Sequence, residues 1–211
     1  MLPTIEQLKE RIEQNISGAR LEIQPNDCPA QQPSLIVNRA AAFKVAEFLR
    51  DDPELRLDYA SNVTGVDWLD QVTKEKVKTK KVVEGVEQEV EETIERKRPG
   101  YIEAVYHLYS IALRHGPVII RIRTGDRTGD TQLPSLTPVW RGAEFQEREI
   151  FDLYGVAFAG HPDLRRILMW DEYTEFPMRK DFVEPDDYEY EPTPHDEVLT
   201  RTKCHWPSAK E

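Results

Sequence analysis

Across residues 140–154, apolar side chains return every third or fourth position, at Trp140, Ala143, Ile150, Phe151 and Tyr154, and one carboxylate, Glu147, stands in the same stripe. A helix that buries this face buries Glu147 with it. An unpartnered carboxylate in an apolar interior costs several kcal/mol, so the fold has to supply a positive or hydrogen-bonding partner. Two readings follow. Glu147 carries a proton or binds something, or it is a structural carboxylate paired with a base such as Arg165 or Arg166. One carboxylate with no second acid, metal or nucleophile beside it is not an active site, which favours the structural reading. Thr137-Pro138 offers a cap and a first-turn proline, and Gly155 a stop, so the spacing predicts a helix from about Pro138 to Tyr154. On its flank Glu144, Arg148 and Asp152 stand four apart, the spacing of an ion-pair ladder.

The segment that follows, Gly160-His161-Pro162-Asp163-Leu164-Arg165-Arg166-Ile167-Leu168, is dense in charge and turn residues. His161 and Asp163 are two residues apart with a proline between them, which disfavours the His–carboxylate bond of a triad, and no Gly-x-Ser-x-Gly elbow supplies a nucleophile. His161 is therefore expected to fix the turn. Arg165 and Arg166 are expected to dock a partner, since guanidinium forks bind carboxylates bidentately and keep their charge at interfaces.

Upstream, Ile5, Leu8, Ile12 and Ile16 at helical spacing behind Thr4 predict an amphipathic helix ending near Gly18. Leu21 with Ile23, then residues 35–37, read as short strands. Ala42, Phe43, Ala46 and Leu49 make one face of a second helix over about 39–50, before Asp51-Asp52-Pro53 stops it. Leu55, Leu57, Tyr59 and Val63 alternate like a half-buried strand. Residues 101–111 and 118–123 read as two more strands around a His115-Gly116-Pro117 turn. The order α-β-β-α-β-β-β implies an α+β fold: a two-layer domain with helices on one face of a mixed or antiparallel sheet.

Residues 74–98 interrupt this order. Five Lys and one Glu occupy 74–81, then six Glu and no base occupy 84–95. A two-residue turn at Glu84-Gly85 would set Lys80 opposite Glu89, Lys78 opposite Glu91 and Lys74 opposite Glu95, a charged hairpin arm whose cross-strand pairs fix register. A disordered charged linker is the alternative. Thr124-Gly125-Asp126-Arg127-Thr128-Gly129-Asp130 lacks the order and the Lys of a phosphate loop and reads as a mobile connection with no nucleotide site.

With 39 acidic and 28 basic residues, the formal net charge of −11 argues against nucleic acid as the main partner. Cys28 and Cys204 are too few for a four-thiolate iron–sulfur site and suggest two reduced thiols. The start of the chain lacks a signal peptide and no segment has the length of a membrane span, so a cytoplasmic, soluble chain is expected.

Pro134-Ser135-Leu136-Thr137, Trp140, Ala143, residues 147–155, residues 160–168 and Arg179-Lys180-Asp181-Phe182 together resemble the signature of the C subunit (30 kDa subunit family) of proton-translocating NADH:quinone oxidoreductase, respiratory complex I. Two departures stand out. Glu175-Phe176 precedes Pro177 where the family often has Gly followed by His or an aromatic, and 74–98 looks like an insertion. The resemblance implies a structural subunit of the peripheral arm, on the cytoplasmic side of the membrane. It would bind no FMN, iron–sulfur cluster or quinone of its own, those being held by other subunits of the complex. Its partners would be subunits D, B and I, with D packed directly against it at the quinone site and the other two nearby. The candidate partner-docking residues are Glu147, Arg148, Asp152, His161 and Asp163, with Arg165, Arg166, Arg179, Lys180 and Asp181. Catalytic, cofactor and metal residues are expected to be absent.

The expected organisation is an α+β domain over 1–133, a docking region over 134–182 and an extended acidic tail over 183–211. A related membrane-bound hydrogenase or ferredoxin-driven complex is the alternative within this class. Outside it stands a metal-dependent hydrolase using His161, His195, Cys204 and His205, which lack a compact ligand pattern.

Overall fold

A computed structural model describes residues 3–29, 31–83 and 86–183, and the side chains among them outside 73–96. The first helix, α1 (Ile5–Asn15), starts where Thr4 accepts from the backbone N–H of Gln7 while the Gln7 side chain accepts from the backbone N–H of Thr4. This reciprocal box satisfies two free N–H groups at the helix start and fixes that start where the sequence predicts it. Leu8, Ile12 and Ile16 are buried. Strands β1 (Leu21–Gln24) and β2 (Ser34–Val37) follow, then α2 (Arg39–Asp51), which buries Ala41, Ala42, Val45, Ala46 and Leu49. Asp52, just past its end, accepts from Arg11 of α1 at 2.9 and 2.6 Å and from the N–H of Glu54 at 2.9 Å, so one carboxylate ties the two helices together.

Leu55 and Leu57 are fully buried but precede the strand that their alternation predicts. The N–H of Leu57 instead caps α2 by bonding the carbonyl of Leu49 at 2.9 Å, and strand β3 (Tyr59–Trp68) begins two residues later. Strands β4 (Gln71–Val83) and β5 (Val86–Arg98) form a two-stranded sheet of their own, with Lys74 opposite Glu95, Lys78 opposite Glu91 and Lys80 opposite Glu89. This is the register that the charge order predicts; the Glu84-Gly85 turn itself lies outside the described residues.

Strands β6 (Tyr101–Ser110) and β7 (His115–Arg123) complete a five-stranded sheet of order β1-β2-β7-β6-β3. It is mixed: β2 and β7 run parallel and every other pair antiparallel. The connection between β6 and β7 is residues 111–114, not His115-Gly116-Pro117, which open β7. Asp58 and Ser110 decide this, because they accept from the N–H groups of Ile111, Ala112 and Leu113. Alternation sends Ala104, Tyr106 and Leu108 of β6 and Val118, Ile120 and Ile122 of β7 into the core. On the other face Glu103 is completely buried and accepts from Trp68 Nε1 at 2.6 Å, Arg121 at 2.7 Å and Arg123 at 3.2 Å.

The rest is β8 (Gln132–Pro134), a 3₁₀ turn at Arg141–Ala143, α3 (Glu144–Tyr154) and β9 (Ala157–Ala159), which pairs parallel with β8. Gly65 of β3 lies so close beneath the Tyr154 ring that a Cβ there would come within 2.6 Å of it, so glycine sets the approach of α3 to the sheet. The chain divides into two units, residues 1–180 and 181–211, and every element named above lies in the first. The segment 134–180 therefore belongs with 1–133 rather than standing as a region apart. The tail expected beyond Phe182 falls almost wholly outside the described residues.

Because among the described residues β4 and β5 pair only with each other, shortening residues 74–98 to a tight turn should leave a direct β3–β6 hairpin. Thermal melting should then shift by no more than about 2–4 °C, the equivalent of about 1 kcal/mol in a domain of this size. Loss of the soluble folded protein would place the arm in the core.

Candidate functional site

α3 opens on Ala143 with no side-chain cap, later than Thr137-Pro138 suggests. Thr137 is not a cap because its hydroxyl is used elsewhere: it donates to Glu147 at 3.1 Å. Ser135 donates to the same oxygen at 2.6 Å, and the other oxygen accepts from Leu136 N–H at 2.8 Å and Tyr106 Oη at 3.0 Å. Glu147 is completely buried, and these four donors take the place of the base expected for it. Burial pushes its carboxyl above the ordinary range, and the four hydrogen bonds offset only part of that rise. The carboxylate fastens the 135–137 loop and the β6 tyrosine to α3. Trp140 adds a bond from its indole N–H to the carbonyl of Leu57 at 2.7 Å.

On the same helix Arg148 and Asp152 are also buried, and among the described residues the ladder with Glu144 does not form. Both side chains turn to the segment after β9. Arg148 donates to the carbonyls of Arg165 and Arg166, each at 3.1 Å, and stands 3.8 Å from the Asp163 carboxylate. One oxygen of Asp152 accepts the consecutive N–H groups of Ile167, Leu168 and Met169 at 3.0, 2.7 and 2.9 Å. The other accepts from Arg166 at 2.6 Å. Burial alone would raise the Asp152 carboxyl, but the three N–H groups and the guanidinium outweigh it and hold it below the usual range.

This geometry separates the two arginines. The sequence suggests that Arg166 offers its fork to a partner, yet the fork is bound inside the chain, to the carboxylate and the carbonyl of Asp152, and lies near the Tyr173 and Phe176 rings. Arg165 stays at the surface, its side chain 69% exposed and bonded to Asp163 at 2.9 Å. His161 does fix the turn: Nε2 donates to the carbonyl of Glu144 at 2.9 Å and Nδ1 accepts from Asp163 N–H at 3.1 Å. Both ring nitrogens are thereby occupied, which removes His161 from a hydrolase ligand set; His195, Cys204 and His205 lie outside the described residues.

The far end of α3 is clamped as well. Gly155 takes the left-handed conformation (φ 75°), and a Cβ there would come within 2.7 Å of both Arg179 and Phe176. Arg179 Nε donates to the carbonyl of Tyr154 at 2.7 Å, placing a cation where the helix dipole favours one. Lys180 contributes its backbone N–H to Asp67 at 2.8 Å, and Arg127 grips the same carboxylate through two bonds of 2.7 Å. Although burial raises the Asp67 carboxyl, these contacts hold it below the usual range. The Thr-Gly-Asp loop, which reads as mobile in the sequence, is tied here by Arg127, by Arg39 bonded to Asp130, and by three N–H groups on Asp126. Asp181 begins the second unit.

Sequence reasoning singles out Glu147, Arg148 and Asp152 but misses what they hold. Asp67, Arg127 and Tyr106 lie far away in the chain, and only the three-dimensional pairing brings them in. Ser135 and Thr137 leave a signal, being two hydroxyls just upstream of the helix that carries the buried carboxylate. Among the described residues, no three His, Cys, Asp or Glu side chains gather as a metal site.

Fold and site thus define a two-layer α+β protein in which buried charges on one helix organise the segments that follow it. The chain belongs to the family described as respiratory-chain NADH dehydrogenase, 30 Kd subunit, whose model matches residues 35–188. It is similar to the C 2 subunit of NADH-quinone oxidoreductase from Rhizobium etli (strain CIAT 652), with 38% identity over 136 residues, covering 64% of this chain and 56% of that protein. It is also similar to the C subunit of NADH-quinone oxidoreductase from Roseiflexus castenholzii (strain DSM 13941 / HLO8), with 39% identity covering 65% of this chain and 62% of that one. The matches thus span somewhat over half the length of these relatives. A chain of the membrane-bound sulfane sulfur reductase, an archaeal respiratory membrane complex, shares the fold, with a TM-score of 0.53 at 19% identity over 98% of this chain and 94% of that one.

Asp152→Asn should cost about 3 kcal/mol, because it leaves the largely buried guanidinium of Arg166 without its charge partner. Asp67 and Asp152 have lowered folded values, so their stabilisation is fully present above the unfolded carboxyl value of about 3.9 and is lost as pH falls through the folded values beneath it. Glu147, raised, acts in the opposite sense: its contribution is present at low pH and lost as pH rises through its folded value. Denaturant melts from about pH 7 down to about pH 3 should show a smaller acid-side loss in Asp152→Asn than in the natural protein. Parallel profiles would contradict the assignment.

Proposed function

We propose that this chain is a non-redox subunit of the peripheral arm of a proton-translocating NADH:quinone oxidoreductase. The observation that carries this reading is how a chain of the 30 Kd subunit family uses its candidate site. Glu147, Arg148, Asp152 and Arg166 are satisfied by this chain's own groups, the first three of them buried, so they build a surface rather than convert a substrate. Electron transfer from NADH through FMN and iron–sulfur clusters to quinone would run through other subunits. The role of this chain is to hold subunits D, B and I in register, with D at the quinone module and the other two beside it. It binds none of these cofactors itself and sits on the cytoplasmic side of the membrane, attached through its partners. No helix among the described residues is long and apolar enough to cross a membrane. The hydrogenase-like or ferredoxin-driven alternative has less support, since both relatives above are named as C subunits of NADH-quinone oxidoreductase.

Isolation of the full chain by an affinity tag from gently solubilised membranes tests this reading. Mass spectrometry should find subunits D, B and I, and the preparation should oxidise NADH with quinone as acceptor. A chain recovered alone with stoichiometric flavin or iron, or a complex that accepts electrons only from ferredoxin or hydrogen, would overturn it.

A further inference from the structure

At the connection between β6 and β7 the sheet borders an open cavity of about 600 Å³, to which neither α3 nor the segments it holds contribute. Ligand pockets fall in the range of about 300–1,000 Å³. Tyr59 of β3 and Tyr109 of β6 both line the cavity and stand opposite one another in the strand register, and Ile111 adds a further apolar wall. Gly116 makes room for the Tyr109 ring, since a Cβ there would stand 2.7 Å from it. Two polar side chains on the same cavity have nothing in their own chain to bind. The guanidinium of Arg114 makes no hydrogen bond or ion pair among the described residues, although its backbone takes a left-handed conformation (φ 55°) that glycine or asparagine adopts at less cost. His115 has both ring nitrogens cut off from solvent with no hydrogen-bond partner among the described residues. Buried polar groups are ordinarily satisfied, and a costly backbone conformation at an unpaired cation points to something outside the chain that the cation meets.

We propose that this cavity binds a small planar anion, an aromatic ring carrying a carboxylate or a phosphate, with the ring against Tyr59 and Tyr109 and the charged group on Arg114. The lining decides the sign of the charge, because it holds one guanidinium and no carboxylate among the described residues. The nearby Asp58 does not compete for Arg114: its two oxygens accept from the N–H groups of Ile111 at 2.8 Å and Ala112 at 3.3 Å. A guanidinium fork matches the two oxygens of a carboxylate or phosphate, and tyrosine rings give a flat apolar body offset-stacked or edge-on contacts. On turning toward the anion, the His115 ring gains the partner that it lacks. The site goes beyond the function proposed above and does not depend on it, since every group it uses belongs to this chain.

The test is calorimetric titration of the purified full chain with adenosine monophosphate and with naphthoate, set against adenosine and inorganic phosphate, which keep only the ring or only the charge. At least one of the first two should bind with a Kd of about 1 mM or tighter, and adenosine and inorganic phosphate about tenfold or more weakly than it. Tighter binding of adenosine monophosphate assigns the charged group as phosphate, and tighter binding of naphthoate assigns it as carboxylate. Arg114→Gly should weaken binding about tenfold, as loss of a charge-assisted hydrogen bond does. Its melting temperature should stay the same or rise, because glycine accepts the left-handed backbone without strain. Tyr59→Ala, at a side chain 47% exposed, should weaken the ring-bearing probes and leave inorganic phosphate unchanged. The proposal is overturned if neither adenosine monophosphate nor naphthoate binds, if adenosine binds as tightly as adenosine monophosphate and naphthoate do, or if Arg114→Gly binds as the natural chain does.

Discussion

The carboxylate of Asp152 is the interaction on which the rest of the second half of the fold depends. It sits on α3, completely buried, and binds three successive backbone N–H groups and one guanidinium. A loop with no regular hydrogen-bond ladder has to satisfy its amides by other means, and a buried anion is among the strongest acceptors available. Arg148, one turn earlier on the same helix, does the complementary work with two carbonyls. Donor and acceptor on one helix face thus replace the strand or helix the segment lacks.

Glu147 solves a different problem on the adjoining face. Among the described residues no cation is bonded to it, and three hydroxyl groups with one N–H solvate it instead. Such a site is less costly than an unpaired charge and still expensive, which is why its carboxyl sits above the ordinary range while that of Asp152 sits below it. The two carboxylates differ, although they share one helix, because burial outweighs the four neutral donors at Glu147, whereas at Asp152 three backbone N–H groups together with an arginine outweigh it. Asp67 closes the arrangement from the sheet, holding Arg127 and the backbone of Lys180.

Local signals carry much of this into the sequence. The Thr4 box, the α2 stripe, the alternation in β6 and β7 and the Lys-then-Glu order of the arm each depend on residues close together in the chain, and each appears in the structure. The failures share a cause. Thr137 looks like a cap until Glu147 claims its hydroxyl, Leu57 looks like strand until α2 claims its N–H, and the β6–β7 turn moves because Asp58 reaches across to it. In each case a group outside the local pattern outbids the local preference. At the candidate site, the identity of the charged residues is legible in the sequence and their partners are not. Arg165 and Arg166 are the sharpest instance: chemically alike and adjacent, they part because only Arg166 reaches Asp152.

The amides of Ile167, Leu168 and Met169 are the most diagnostic groups in the molecule, because Ile167 and Leu168 expose their side chains while all three N–H groups point into a buried carboxylate. Backbone hydrogen exchange, read residue by residue, tests whether Asp152 holds the loop. The expected result is strong protection at all three amides in the natural chain, lost in Asp152→Asn while the amides of β6 and β7 keep theirs. Exchange at those three positions as fast as in a solvated loop would contradict it.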